Sequence, residues 1–357
     1  MAELVVEATS LRKAYGGFLR GRKVVAVDSL DLAVERGSVH GFLGPNGSGK
    51  TTTLRMLLGL TRPDHGDIRL LDRQIPRALP SVMRRIGAVV EQPRFSPDLS
   101  GRRNLQLLAG LSDVPRTRAD AVLERVGLDG DLGRDRFGTY SLGMRQRLGV
   151  AAALLNEPEL VVLDEPSNGL DPAGIIEMRE LIRSLGAEGV TILLSSHILA
   201  EVQQVCDAVT IIGEGSVLAQ GKVEELLGDA VARTRVGVAD PDLADQRLTA
   251  AGFRVTRDGA FLLVEGHEHP EEITRLLAES GQYVGELSAI RPDLEAFFLQ
   301  LTGHRPAVSV DPEERGADEV AEHVAVRPPD PEPEPAPATT PEPEPAAGPS
   351  DEDGEDR

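Results

Sequence analysis

Residues 44–51 read GPNGSGKT, a glycine-rich stretch that ends in a lysine and a hydroxyl residue. Glycines let backbone amides turn inward around phosphate groups, and a helix that follows presents its positive end to the same anion. Lys50 is expected to reach the β- and γ-phosphates, and the Thr51 hydroxyl is expected to bind Mg²⁺. The spacing therefore predicts a site for a nucleoside triphosphate. The predicted binding residues of this loop are Gly44, Pro45, Asn46, Gly47, Ser48, Gly49, Lys50, Thr51 and Thr52.

A second candidate site lies in LVVLDEP, at residues 160–166. Its four apolar residues predict a buried strand, and α/β sheets present ligand groups at the carboxyl ends of such strands. Asp164 is therefore expected to hold the Mg²⁺ through water, and Glu165 is expected to polarise the attacking water as a general base. Taken alone, an Asp-Glu pair at the end of a strand can equally be a solvated strand end without a function. Its position after a phosphate loop favours the catalytic interpretation.

Five further stretches indicate which kind of nucleotide hydrolase this is. Taken singly, each has an ordinary explanation: a histidine at a strand end can be structural, a glutamine solvated and a tyrosine part of the core. All five stand in the order and at the spacing of ABC transporter ATP-binding subunits, which residues 3–225 resemble. They are Tyr15 in LRKAYGG (the aromatic residue that stacks on adenine), Gln92 in VVEQP (the Q-loop), Ser141 and Gly143 in YSLGM (the signature motif), Asp171 in SNGLDP (the D-loop) and His197 in LLSSH (the switch histidine).

The resemblance implies ATP and Mg²⁺ as cofactors and ATP hydrolysis as the reaction. It also implies that two ATPase domains meet head to tail, so that each ATP lies between the phosphate loop of one and Ser141 and Gly143 of the other. Gln92 is implied as a catalytic residue and a Mg²⁺ ligand, and His197 as a contact to the γ-phosphate. Leu142 departs from the family pattern, because it replaces the usual first glycine of the signature. Ser141 and Gly143 are kept, so we expect activity to be intact.

Three features resemble those of exporters of the daunorubicin- or bacitracin-resistance type. They are the sequence SLGMRQRL at the signature, the single ATPase domain and the sequence FFLQLTG at the end of the small C-terminal domain. The expected partners are a separate transmembrane permease, which would carry a drug, antibiotic or peptide, and a second ATPase subunit, an identical copy in preference to a paralogue. The helical insertion and the loop after Gln92 are expected to touch the permease.

The alternative is a soluble ABC ATPase that acts on ribosomes or DNA. Ribosome-acting relatives carry two ATPase domains joined by a basic linker, and DNA-acting ones insert long coiled coils, and the sequence has neither feature. A non-catalytic regulatory subunit would lack Glu165 or His197, and both are present.

The sequence pattern predicts one domain over residues 1–225, which begins with β-strands and continues as an α/β domain. Its elements must position the residues described above. Continuous apolar strands alternate with helical stretches, which indicates a parallel sheet buried on both faces. Residues 101–156 show only helical spacing and are interpreted as an insertion, with a helical subdomain at about 93–156. The predicted strands are residues 4–8, 24–27, 30–34, 38–43, 68–71, 86–91, 160–164, 191–196 and 208–212.

Residues 226–303 are predicted to form a small α+β domain. Their pattern has the order β-α-β-β-α-β, which is that of a ferredoxin-like fold, followed by a helix around DLEAFFLQLTG. Residues 304–357 contain 12 of the 25 prolines and no Phe, Tyr or Trp, so they are predicted to be a disordered acidic tail.

Charge and composition limit which partners and which cellular compartment are expected. The formal net charge is -20, and residues 305–357 hold 16 acidic against 4 basic residues. The rest of the chain is also acidic, so no nucleic-acid partner is expected. Cys206 is the only cysteine and is expected to be a small buried hydrophobe. The sequence has no secretory signal and no run near 18 apolar residues, so we expect a cytoplasmic protein, peripheral on the inner face of the cell membrane through its permease.

Overall fold

The computed structural model describes residues 3–16, 24–91, 93–228, 233–265, 270–290 and 293–301. The predicted tail and Gln92 lie outside these ranges. Within them, no helix combines the length and the apolar character that crossing a membrane requires.

The strands up to residue 222 form two sheets. They are β1 (Leu4–Tyr15), β2 (Val24–Glu35), β3 (Val39–Leu43), β4 (His65–Leu70), β5 (Arg73–Ile75), β6 (Ile86–Val89), β7 (Leu160–Asp164), β8 (Thr191–Ser196), β9 (Ala208–Gly213) and β10 (Ser216–Lys222). One sheet has the order β10-β9-β3-β8-β7-β6, and its strands are parallel except for β10. The predicted parallel sheet is therefore confirmed, with an antiparallel edge strand added.

Helices surround this sheet and fill the insertion. They are α1 (Lys50–Leu57), α2 (Leu79–Val82), α3 (Gly101–Leu111), α4 (Arg118–Arg125), α5 (Leu142–Ala153), α6 (Pro172–Ala187), α7 (Leu199–Val205) and α8 (Val223–Gly228). Residues 101–156 hold helices and short 3₁₀ turns, which confirms their predicted helical character. The limits of the helical subdomain, 93–156, stay a prediction.

Strand β7 shows how the parallel sheet is buried on both faces. Val161 and Leu163 enter one hydrophobic cluster, with residues of α3, α5 and α6, whereas Leu160 and Val162 enter a second cluster, with residues of α1 and of the other sheet. Successive side chains of a strand point to opposite faces, so an uninterrupted apolar run is needed here. The polar residue that ends the run is Asp164.

The second sheet is antiparallel, with the order β2-β1-β4-β5. The prediction split β2 into two runs and ended β1 early, because serines interrupt both patterns. In the structure both strands continue through bulges, where Ser10 and Ser29 adopt positive φ angles of 50° and 53°. A bulge absorbs one extra residue, so pairing resumes beyond it. Strands β5 and β10 were missed, since one is three residues long and the other lies half exposed at a sheet edge.

The segment after residue 232 has the predicted β-α-β-β-α-β order. Its elements are β11 (Arg233–Val238), α9 (Pro241–Ala250), β12 (Arg254–Asp258), β13 (Phe261–Glu265), α10 (Pro270–Glu279), β14 (Val284–Ile290) and α11 (Leu294–Leu301). The sheet order β12-β13-β11-β14 is antiparallel throughout, as in a ferredoxin-like fold. A separate small cluster forms its core. That residues 1–225 and 226–303 are two domains stays a prediction.

Candidate active site

The phosphate loop joins the buried strand β3 to α1, which begins at Lys50. Gly49, the residue before the helix, has a φ of 104°, which side chains disfavour. A Cβ at this position would also collide with the carbonyl oxygen of Ala26 on β2. The loop therefore needs glycine here for two reasons, and close packing against β2 fixes its position. Pro45, Asn46 and Gly47 are exposed at the tip of the loop.

Lys50 folds back across this loop and is only 5% exposed. Its ammonium donates to the carbonyl oxygens of Gly44 at 2.6 Å and Pro45 at 3.3 Å. The Ser48 hydroxyl is buried beside it without a hydrogen-bond partner among the described residues. A cation, an unsatisfied hydroxyl and backbone amides at the start of a helix suit the oxygens of a phosphate chain. Thr51 and Thr52 are half-buried in the first turn of α1.

The pairing of β7 with β8 joins the two carboxylates of the candidate site to a serine. Parallel register places Asp164 opposite Ser195. The Ser195 hydroxyl donates to Asp164 Oδ1 at 2.5 Å and accepts the backbone N–H of Glu165 at 2.9 Å. One buried hydroxyl thus contacts both residues that the sequence selects.

Glu165 stands between the lysine of the loop and the histidine after β8. Its Oε1 lies 3.2 Å from Lys50 Nζ, and its Oε2 lies 2.7 Å from His197 Nδ1. The backbone of Glu165 has a positive φ of 49°, which turns the chain sharply at the end of β7. Lys50, Glu165 and His197 therefore form a continuous polar chain. Such a chain can orient a carboxylate as a proton acceptor next to a bound phosphate.

The signature residues lie at the start of α5. Ser141 caps this helix, since its hydroxyl accepts the backbone N–H of Met144 at 3.2 Å. Tyr140, just before it, is buried and donates to the carbonyl oxygen of Leu132 at 2.6 Å, which anchors the turn. Gly143 is half-buried. Among the described residues, no hydrogen bond or ion pair joins Ser141 to the chain of Lys50 and its partners.

Leu142 and Asp171 have local structural contacts as well. The Leu142 side chain packs beside Gly169, in the loop that follows β7. Asp171 is exposed and caps α6, because its carboxylate accepts the backbone N–H of Gly174 at 3.1 Å. The extra side chain at residue 142 thus packs within its own chain and leaves Ser141 exposed.

Tyr15 ends β1 with 42% of its surface exposed. It pairs with Val24 on β2, the strand against which Gly49 packs. The Asp64 carboxylate accepts the backbone N–H of residue 14 at 2.8 Å and the ammonium of Lys13 at 3.0 Å. Lys13 in turn lies 5.6 Å from the centre of the Tyr15 ring. This arrangement holds an accessible aromatic face that a purine base can stack on.

The structure brings Lys50, Asp164, Glu165 and His197 together, with Asp164 joined through Ser195. Gln92 lies outside the described residues. Sequence reasoning missed Ser195. The signal for it is weak but present: TILLSS is apolar until its last two residues, and parallel register with LVVLD sets the first of these serines beside Asp164.

The donor set also suits Mg²⁺. Thr51 and Asp164 offer hydroxyl and carboxylate oxygens, which this cation prefers. No cluster of three or more His, Cys, Asp or Glu residues among those described could hold a metal alone. Mg²⁺ is commonly held by one or two protein oxygens together with phosphates and water, so such a cluster is not required.

Comparison with known proteins gives consistent results. The family model described as ABC transporter matches residues 27–168. The bacitracin transport ATP-binding protein BcrA of Bacillus licheniformis is 39% identical over 305 residues, which cover 84% of this chain and 97% of that protein. The daunorubicin resistance ATP-binding protein DrrA3 of Streptomyces coeruleorubidus is 38% identical over 314 residues, 85% of this chain and 97% of that protein.

Solved structures share the fold. The dimeric structure of MJ0796, described as a bacterial ABC transporter cassette, superposes with a TM-score of 0.56 at 23% identity, over 61% of this chain and 98% of that one. A post-hydrolysis dimer of the same cassette bound to ADP and Pi gives a TM-score of 0.55 at 23% identity, over 61% and 98% of the two chains. The predicted α/β fold, with a mixed sheet and a helical insertion, is thereby confirmed.

Proposed function

The chain belongs to the family of ABC transporter ATP-binding proteins, and from this membership we propose that its ATP hydrolysis powers export of a drug, antibiotic or peptide through a separate membrane permease. One observation carries the export proposal. The likeness to BcrA runs over 305 residues, so it extends beyond the ATPase domain into the segment that follows residue 225. A cassette of unrelated transport function would not need to share that second segment.

Within the site, we assign the general base to Glu165. Its carboxylate is next to Lys50, which would contact the terminal phosphates, and it is hydrogen-bonded to His197. A water held between this carboxylate and a γ-phosphate would be polarised for in-line attack, and His197 would orient the carboxylate and contact the phosphate. Thr51 and Asp164, with Gln92 in the implied arrangement, would hold Mg²⁺, which would neutralise phosphate charge.

The active form is proposed to be a head-to-tail dimer of two identical chains. Ser141 is exposed and Gly143 half-buried at the start of α5, and no hydrogen bond or ion pair among the described residues joins Ser141 to the Lys50 chain of the same molecule. They could therefore contact the γ-phosphate of ATP on a second copy, with Asp171 near the same boundary. Loss of the γ-phosphate would remove the charge that joins the two surfaces. Membrane association would follow from binding a permease at the inner face of the cell membrane.

Co-expression with a polytopic membrane protein from the same genome, taken from the neighbouring gene where that gene encodes one, tests this function. We expect the two proteins to co-purify, and we expect a sensitive host to gain resistance to bacitracin or an anthracycline. Glu165→Gln should abolish resistance without abolishing co-purification. Sedimentation of the chain with ribosomes, without a membrane partner, would contradict the transport proposal and favour the soluble alternative.

A further inference from the structure

We propose that Ser195 is a positioning residue for ATP hydrolysis, which directs the carboxylate of Asp164 and the backbone of Glu165 through one hydroxyl group. The proposal rests on the roles given to Asp164 and Glu165 above. It adds a residue outside the motifs from which those roles were inferred.

The hydroxyl of Ser195 is placed by the sheet itself. Residues 164 and 195 are register partners on the parallel strands β7 and β8. Ser195 is fully buried, so water does not compete for its hydroxyl. Its single proton is donated to Asp164 Oδ1 at 2.5 Å, and its oxygen accepts the N–H of Glu165 at 2.9 Å.

The second of these bonds acts on an unfavourable backbone conformation. Glu165 has a φ of 49°, in the left-handed region that a residue with a Cβ seldom adopts. The hydrogen bond fixes the peptide plane between residues 164 and 165, and the turn at Glu165 starts from that plane. The turn directs the Glu165 carboxylate to Lys50 on one side and to His197 on the other.

The first bond acts on the candidate Mg²⁺ ligand. A short hydrogen bond to Oδ1 limits rotation of the Asp164 carboxylate, which leaves its direction defined before any cation arrives. Without the hydroxyl, both carboxylates would sample a wider range of directions. Poor alignment of a base or a metal ligand lowers turnover much more than it lowers binding of the nucleotide.

Ser195→Ala is the primary test. We expect kcat for ATP hydrolysis to fall about 10- to 100-fold, with KM for ATP within about twofold of wild type, since the phosphate loop is unchanged. A second measurement does not depend on turnover. In thermal melts, ATP with EDTA should stabilise variant and wild type equally, whereas the additional stabilisation by Mg²⁺ should be reduced in the variant.

Two matched variants separate the hydroxyl from general packing. Ser195→Thr keeps the hydroxyl and should retain most of kcat. Thr191→Ala removes another buried hydroxyl from β8, one that accepts the backbone N–H of Gly37 at 3.0 Å far from the site. The Thr191→Ala substitution should lower the free energy of unfolding and leave kcat unchanged.

The proposal is overturned if Ser195→Ala hydrolyses ATP at the wild-type rate, or if the Ala and Thr variants lose kcat equally. If Ser195→Ala does not fold, the isosteric pair Ser195→Thr and Ser195→Val gives the same comparison, and equal kcat values in that pair overturn the proposal. An inactive wild-type protein would instead contradict the assigned reaction, so the two failures are distinguishable.

Discussion

Glu165 Oε1 lies 3.2 Å from Lys50 Nζ, so the residue assigned as the base is ion-paired with the lysine assigned to the phosphates. The ammonium group has three N–H donors and already faces three acceptors, the carbonyl oxygens of Gly44 and Pro45 and the Glu165 carboxylate. Phosphate oxygens must displace at least one of them, and the carboxylate is the acceptor that a nearby phosphate repels. We therefore expect ATP binding to draw Lys50 toward the phosphates and to leave Glu165 with His197 as its remaining partner. This exchange would couple nucleotide binding to the release of the base.

Replacement of Glu165 by glutamine should separate binding from hydrolysis. Glutamine keeps the size and hydrogen bonding of the side chain but loses its charge and basicity. Phosphate release should fall by roughly 10²–10⁴-fold, the range expected for a positioned base. ATP should still bind, so the variant should accumulate as a dimer in size-exclusion chromatography with ATP and return to a monomer without it.

Glu180→Gln serves as the matched control, because Glu180 is exposed on α6. It should hydrolyse ATP like wild type. A Glu165→Gln variant with the wild-type rate of phosphate release would show that another group is the base.

Lys50→Ala should have the opposite effect and weaken binding itself. The substitution removes the cation proposed to contact the β- and γ-phosphates, and a charged hydrogen bond contributes about 1.5–3 kcal/mol. Affinity for a fluorescent ATP analogue should fall about 10- to 100-fold, and the ATP-dependent dimer should be lost with it. Lys222→Ala, at an exposed lysine, is the control. Retention of tight ATP binding by Lys50→Ala would contradict the role given to the loop.

The local patterns allowed much of the fold to be predicted, because buried strands and the glycine loop are properties of contiguous residues. Strands β5 and β10 were missed since short or half-exposed edge strands carry little hydrophobic signal. Residues in register across strands are a different case. The contact of Ser195 with Asp164 depends on which strands are neighbours, and that is a long-range property.

The candidate site likewise combines residues that local sequence patterns predict with contacts that depend on long-range structure. The Asp-Glu pair could be selected from its position after the phosphate loop, and the histidine from the order and spacing of the motifs. The ion pair between Glu165 and Lys50 could not be predicted, because it depends on β3 and β7 lying in one sheet with β8 between them. The sequence prediction likewise did not include the helix caps formed by Ser141 and Asp171, although serine and aspartate are preferred caps.

Tyr15→Ala should raise KM for ATP and leave kcat nearly unchanged. Stacking of a base on an aromatic side chain is worth about 1–3 kcal/mol, which corresponds to about 5- to 150-fold in affinity. Tyr15→Phe keeps the ring and should behave like wild type. Tyr283→Ala removes a tyrosine that is 81% exposed in another part of the chain and provides the control. Equal KM values for Tyr15→Ala and wild type would exclude adenine stacking at this position.

The buried His40 should make folding stability depend on pH in a defined window. It is on β3, its Nε2 lies 2.8 Å from the Thr210 hydroxyl, and burial lowers its pKa from 6.5 to about 4. Below pH 6.5 this histidine is protonated in the unfolded chain but stays neutral in the folded chain, so the free energy of unfolding falls until about pH 4. Between pH 8 and pH 5 the loss from this group should be about 2 kcal/mol.

Urea denaturation of wild type and His40→Gln at pH 8 and pH 5 measures this loss. The variant cannot titrate there, so its free energy of unfolding should fall less. Glu159 does not interfere, because hydrogen bonds from Arg85 and Arg36 lower its pKa to about 2, and stability from it is lost only below about pH 4.5. The same pH dependence in both proteins would refute the assignment to His40.

Two truncations should distinguish the tail from the last helix. In α11, Leu294 is fully buried, and Phe297 and Phe298 pack against the same core cluster as Val202 of α7. The backbone N–H of Leu294 also donates to Gln203 Oε1 at 3.0 Å.

A chain that ends after Gly303 keeps this helix and loses the predicted acidic tail, so its melting temperature and ATPase rate should match wild type. A chain that ends after Ile290 loses the helix and uncovers part of the core beneath it. Burial of one such side chain contributes about 1.5–3 kcal/mol, so the melting temperature should fall by about 5 to 10 °C. Because α7 begins two residues after His197, the shorter chain should also lose ATPase activity. A lower melting temperature after removal of the tail alone would show that the tail contacts the folded body, and equal melting of both truncations would show that α11 contributes no stability.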